Sequence, residues 1–133
     1  MAWTLNPSSV LRNFIKAAKE FIVGTRVVRT AVAAIPVSAT NATTMDCSLA
    51  DIFTYTPTEA TTITPTNLAP GQRITIVFLT VGTSSFVVTF GAPFKTTGTL
   101  ATGTTAARYF ILEFVADPTG TILVESSRTA AIA

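Results

Sequence analysis

At 133 residues, with 48% of them hydrophobic and only 12% charged, the chain is sized for one domain whose surface must be largely neutral. Histidine is absent and cysteine occurs once, which removes the commonest general base, the commonest transition-metal ligand and any intrachain disulfide. The net charge of +2 hides an asymmetry: residues 1–45 carry Arg12, Lys16, Lys19, Arg26 and Arg29 against Glu20, a balance of +4, whereas residues 46–133 carry four basic and six acidic groups, a balance of −2.

The first predicted element is an amphipathic helix over residues 7–23. Asn6 stands at its N-cap, Pro7 at its first position and Gly24 just past its last periodic residue. Val10, Leu11, Phe14, Ile15, Ala18, Phe21 and Ile22 recur at helical spacing, and Arg12, Lys16, Lys19 and Glu20 gather on the opposite face. Such a stripe must be buried, on the chain's own β domain, on another subunit or at a membrane surface. Residues 25–39 are apolar and β-branched with Pro36 as a break, which reads as an extended arm or an edge strand. Arg26 and Arg29 interrupt that run, so it does not read as a signal peptide.

Beyond residue 39, strand-like runs alternate with turn chemistry. The candidate strands are residues 42–49, 51–57, 61–66, 72–80, 85–90, 107–115 and 121–127, separated by Pro57, Pro70-Gly71, Gly82, Gly91, Pro93, Gly98, Gly103, Pro118 and Gly120. Threonine occurs 26 times, and its β-branched side chain suits a pleated surface. In residues 72–80, Ile74, Ile76 and Phe78 fall on one face and Arg73, Thr75, Val77 and Leu79 on the other. In residues 107–115, Phe110, Leu112 and Phe114 oppose Tyr109, Ile111, Glu113 and Val115. Both faces are partly apolar, so the second face is expected to meet another sheet or subunit. The fold expected is mainly β: an antiparallel β-sandwich or jelly roll of seven to eight strands over residues 39–133, preceded by an N-terminal amphipathic helix and extended arm over residues 1–38.

Chemistry is sparse. The carboxylates Glu20, Asp46, Asp51, Glu59, Glu113, Asp117 and Glu125 form no acid–base pair or metal-ligand spacing, and Asp46 and Asp51 read as turn and cap residues. Neither phosphate-loop signature occurs, and a Ser or Thr nucleophile would lack a histidine to activate it. No catalytic residue, metal or cofactor is expected, and no nucleic-acid partner, since the β half is net acidic. The mean hydropathy is positive, yet no stretch of 18 or more uncharged apolar residues occurs, so no membrane partner is expected either. Surface so apolar and so poor in charge is expected to be buried against other chains.

Asp46, Phe53, the run Thr61-Thr62-Ile63-Thr64, Pro70-Gly71-Gln72, and the later segments 94–100 and 127–131 together resemble a β module of tailed-bacteriophage virion proteins. The resemblance covers about two thirds of the chain and lies in the combination of pieces. It implies a β-sandwich, often trimeric, serving as a head-decoration, fibre or tail-associated part of a virion. The module in fibre proteins usually ends a much longer chain; a short arm in place of a shaft favours a capsid decoration (cement) protein on the capsid surface. The expected partners are further copies of the chain, forming a trimer, and the major capsid protein or other virion subunits. The arm residues expected at the partner are Trp3, Leu11, Arg12, Phe14, Ile15, Lys16, Lys19, Phe21, Ile22, Arg26 and Arg29. The alternative is a tail- or fibre-associated module that binds a receptor or glycan, for which Tyr55, Phe94 and Tyr109 are the aromatic candidates.

Overall fold

Alternating apolar and polar residues produce ten short strands that lie in two sheets. The computed structural model describes residues 31–37 and 40–133, together with the backbone pairing of residues 22–23 with 26–27. The strands are β1 (Ile22–Val23), β2 (Arg26–Val27), β3 (Val32–Ala34), β4 (Ala42–Asp46), β5 (Ile52–Tyr55), β6 (Thr61–Thr66), β7 (Arg73–Leu79), β8 (Val87–Phe90), β9 (Phe94–Lys95), β10 (Leu100–Ala101), β11 (Tyr109–Ala116) and β12 (Leu123–Arg128). A six-stranded sheet has the order β3-β5-β7-β11-β12-β9 and a four-stranded sheet the order β10-β8-β6-β4, while β1 and β2 pair only with each other.

The chain changes sheet at every step from β3 to β11. Four pairs of strands two apart in sequence are neighbours and run parallel: β3 with β5, β5 with β7, β4 with β6, and β6 with β8. The mainly β, two-sheet architecture is as expected, and these parallel pairs correct only the antiparallel pairing expected from the strand spacing. A parallel pair needs a crossover of about a dozen residues or more, usually a helix. Here a strand of the opposite sheet supplies each crossover, so no helical segment is required. Antiparallel pairing is confined to β7–β11, β11–β12, β8–β10 and the isolated β1–β2 pair. Among the described residues the strands number twelve, against the seven or eight expected.

One correction and one agreement concern the arm. Ile22 and Val23, expected in the last helical turn, are extended and paired with Val27 and Arg26. The rest of the predicted helix lies outside the described residues. Val32–Ala34 forms the edge of the six-stranded sheet and Ile35 is part of the core, so the β architecture reaches into the segment read as an extended arm or edge strand.

The inward faces interdigitate into one core. Met45, Ile63 and Val88 come from the four-stranded sheet, and Phe53, Ile74, Ile76, Phe78, Leu112, Phe114 and Leu123 from the six-stranded one. Tyr55 meets Phe78 edge-on at 6.1 Å within the six-stranded sheet, and Phe90 bridges the layers, contacting Phe78 at 6.3 Å, Phe94 at 5.3 Å and Phe114 at 5.9 Å. Each such pair adds about 0.5–1.5 kcal/mol beyond its area burial. Tyr55 and Phe94 are thus core residues and cannot stack on a glycan, which corrects their candidacy for that role.

Candidate interaction surface

The turn before β7 holds the polar centre of the domain. Gln72 donates from Nε2 to the carbonyl of Cys47 at 2.8 Å and to Asp51 Oδ1 at 2.9 Å, and its Oε1 accepts from the amide of Ala69 at 3.1 Å. Gly71 lies at φ +68° and the Gln72 amide donates to the Ala69 carbonyl at 3.1 Å, which is the pattern of a type II turn over residues 69–72. The same turn reaches β11 through Ala116 N to Gln72 O at 2.8 Å and Gly71 N to Asp117 O at 3.2 Å. Asp51 is buried beside it, and its backbone carbonyl accepts from the Thr75 amide at 2.8 Å. Asp46 Oδ1 accepts from the Ser48 amide, the Ser48 hydroxyl and Asn67 Nδ2 at 3.0, 2.7 and 2.9 Å, so both aspartates serve turns, as their spacing implied. Among the described residues no group of three His, Cys, Asp or Glu side chains lies together.

Other ionisable groups are likewise spent on structure. Asp117 sits in the β11–β12 turn, where the Thr119 hydroxyl and the amides of Ile122, Thr121 and Thr119 all donate to it, holding its carboxyl well below the usual range. Burial pushes the Glu125 carboxyl up, but bonds from Arg128 and Thr97 outweigh it and hold the group below its ordinary pKa. Arg128 also donates to the Thr99 and Gly98 carbonyls at 2.9 and 3.1 Å and lies 5.7 Å from the centre of the Phe90 ring. Burial pushes the Cys47 thiol up to about 12, which leaves it protonated and inert at neutral pH.

The outward faces of the two sheets differ. On the four-stranded sheet Thr44 pairs with Thr64 and Thr62 with Thr89, giving a neutral, hydroxyl-bearing surface. Gly91 lies against it so closely that a Cβ there would meet Thr64 Oγ1 at 2.7 Å. On the six-stranded sheet the outward rows read Val32, Ile52, Thr75, Glu113; then Ala34, Thr54, Val77, Ile111; then Leu79, Tyr109, Ile132; then Arg73, Val115, Val124. Val77, Leu79, Ile111 and Val115 are half-buried, whereas Val32, Tyr109 and Val124 are 59%, 44% and 45% exposed. Local alternation specifies both surfaces, because a strand that buries Ile74, Ile76 and Phe78 must turn Thr75, Val77 and Leu79 outward. The outer apolar face is thus the candidate interaction surface, and it begins at β3, where the N-terminal arm joins the sheet.

The arm residues expected at a partner fall mostly elsewhere: Trp3, Leu11, Arg12, Phe14, Ile15, Lys16, Lys19, Phe21 and Arg29 lie outside the described residues, and Ile22 and Arg26 are described only as backbone pairs of β1 and β2. Sequence reasoning also passed over Gln72 as a structural hub and over a groove lined by Thr102, Gly103, Thr105, Arg108, Phe110 and Ala131. Buried Thr80 shapes that groove, donating to the Thr105 carbonyl at 2.7 Å and accepting from the Arg108 amide at 3.0 Å. The one sequence signal for it is a cluster of Thr, Gly and Ala ahead of Arg108. No protein-family model and no curated protein matches the chain.

Proposed function

We propose that this protein is a non-enzymatic structural component of a bacteriophage virion, a capsid decoration protein that forms a homo-oligomer, a trimer, and attaches to the major capsid protein through its basic N-terminal arm. The observation that carries the reading is the asymmetry of the two outer faces. One is a neutral threonine surface, suited to solvent, and the other is an apolar surface continuous with the arm's point of entry at β3. A large exposed apolar face marks a site of association. The sequence resemblance to virion β modules supports the same reading, as does the opposite charge of arm and β domain, which favours docking of the arm on an acidic neighbour. Imaging of particles carrying the protein with an electron-dense C-terminal label tests it. Label distributed over the capsid shell is the expected result, and label confined to the tail overturns the decoration role.

A second reading, a tail-associated module that binds a glycan or receptor, is favoured by the groove around Arg108. Arg108 lines it together with Thr102, Gly103, Thr105 and Phe110. Glycan-array binding that is lost on Arg108→Ala would promote this reading over the first.

A further inference from the structure

The outward faces of the two sheets carry unequal shares of the exposed apolar surface. Among the described residues nine large hydrophobic side chains are exposed, and five of them, Val32, Ile52, Tyr109, Val124 and Ile132, stand on the outer face of the six-stranded sheet. Half-buried Val77, Leu79, Ile111 and Val115 fill the space between them on the central strands β7 and β11. Of the nine, only Val87 projects from a strand of the four-stranded sheet. Single exposed hydrophobics are ordinary, whereas a contiguous set marks a contact surface. We propose that this face is where copies of the chain meet: the outer face of the six-stranded sheet of one copy is covered by the same face of its neighbours. The inference rests on the homo-oligomer of the proposed function and gives that oligomer its surface.

Size favours a further copy as the occupant. The seven residues of β7, Arg73 to Leu79, carry the face about 20 Å along the strands. Its rows hold about sixteen outward positions, each about 4.8 Å by 6.7 Å, which makes a planar face of about 500 Å². Two such faces in contact bury about 1,000 Å² before the relief of the side chains is added, the area at which a specific interface begins. Sheets stack face to face at about 10 Å with their side chains interdigitated, so a second copy of the same pleated surface covers the patch over its whole extent.

Charge points the same way. The charged residues on the face are Arg73 and Lys95 in its end row and Glu113 in the next, where the Ser127 hydroxyl donates to the Glu113 carboxylate at 2.8 Å. With both signs inside two rows, the face matches no partner of uniform charge, but it matches itself, because a neighbouring copy can set its Glu113 against Arg73. The rows of Val77 and Leu79 carry no charge and form the apolar centre that such a contact needs. Self-association through this face leaves the threonine surface of the four-stranded sheet outward.

Sedimentation velocity of the purified full-length chain over a range of concentrations tests the proposal, with Val77→Glu and Ile111→Glu on the face and Thr62→Glu on the opposite sheet. Wild type and Thr62→Glu are expected to assemble alike. The two face variants are expected to dissociate, with dissociation constants raised roughly a hundredfold or more, because each sets a carboxylate in an apolar contact. An unreactive Cys47 thiol verifies that each variant is folded. Should both face variants unfold, hydroxyl-radical labelling of assembled wild type reads the contact without a substitution. Tyr109 and Val87 are 44% and 42% exposed in the single chain, yet Tyr109 is expected to be labelled several-fold less once each is scaled to its intrinsic reactivity. Face variants that assemble like wild type, or equal scaled labelling of the two residues, overturn the proposal and leave the oligomer standing. A wild type that is monomeric at every concentration overturns both. A particle of two chains that the face variants break supports the face and replaces the trimer.

Discussion

Replacing Gln72 with alanine probes the polar centre on which the two-sheet arrangement turns. The Gln72 side chain is only 2% exposed and makes three hydrogen bonds, to Cys47 O, Asp51 Oδ1 and the Ala69 amide. A neutral bond is worth about 1 kcal/mol net, and one to a carboxylate about 1.5–3 kcal/mol. Removing the side chain also leaves a small cavity at a site with little room to collapse. Allowing for non-additivity among neighbouring contacts, the loss should be about 3–5 kcal/mol. At roughly 4 °C per kcal/mol for a domain of this size, the melting temperature should fall by about 12–20 °C. Glutamate at the same position keeps the shape but loses both donated bonds and faces the Asp51 carboxylate, so Gln72→Glu should be at least as harmful at pH 7. Urea denaturation followed by circular dichroism, with the m-value held in common, measures the difference. A loss below about 1 kcal/mol for both variants would refute the role assigned to this residue.

Three further outcomes follow from particular groups. Cys47 should fail to react with a thiol reagent at pH 8 in the native protein and react fully in denaturant; stoichiometric labelling of the native chain would contradict its burial and raised pKa. Gly71→Val should destabilise by about 2 kcal/mol through the left-handed backbone alone, because the space around Gly71 is open; an unchanged melting temperature would mean that the turn is not type II. The folded pKa of Asp117 is depressed, so its stabilising effect is full above the ordinary value of 3.8 and is lost as pH falls toward the folded value. The stability difference between wild type and Asp117→Asn should therefore shrink as pH drops below about 4, and a difference that stays constant from pH 7 to pH 2.5 would count against the hydrogen-bonded turn.

What the sequence disclosed, and what it hid, follow from the range of the forces involved. Strand positions were legible because alternation is local: Ile74, Ile76 and Phe78 fell inward, Thr75, Val77 and Leu79 outward, as their spacing required. The break at Pro70-Gly71 was legible for the same reason. Strand order was not, because nothing in the β5 or β7 segment states that the intervening β6 will cross to the other sheet and leave them parallel. Pro65 illustrates the limit. A proline in a strand argues for an edge, yet β6 lies inside its sheet; pairing with β8 stops at Ile63–Phe90, so Pro65 faces only β4. Gln72 opens a strand-like run in the sequence, but its bonds to Cys47 and Asp51 span 25 and 21 residues and carry no local signature. The last turn of the expected helix was misjudged because Ile22 and Val23 fit a helical stripe and a β pair equally well, and their pairing with Val27 and Arg26 decides it.

In the proposed function the β domain presents a neutral face to solvent and the arm carries the attachment. Co-sedimentation with capsids that lack this protein tests that division most directly, with the full chain compared to a chain beginning at residue 31, which retains β3 and Ile35. The full chain is expected to saturate the capsids, and the shortened chain, with its Cys47 thiol still unreactive, to stay in the supernatant. Equal binding by the two would contradict the account.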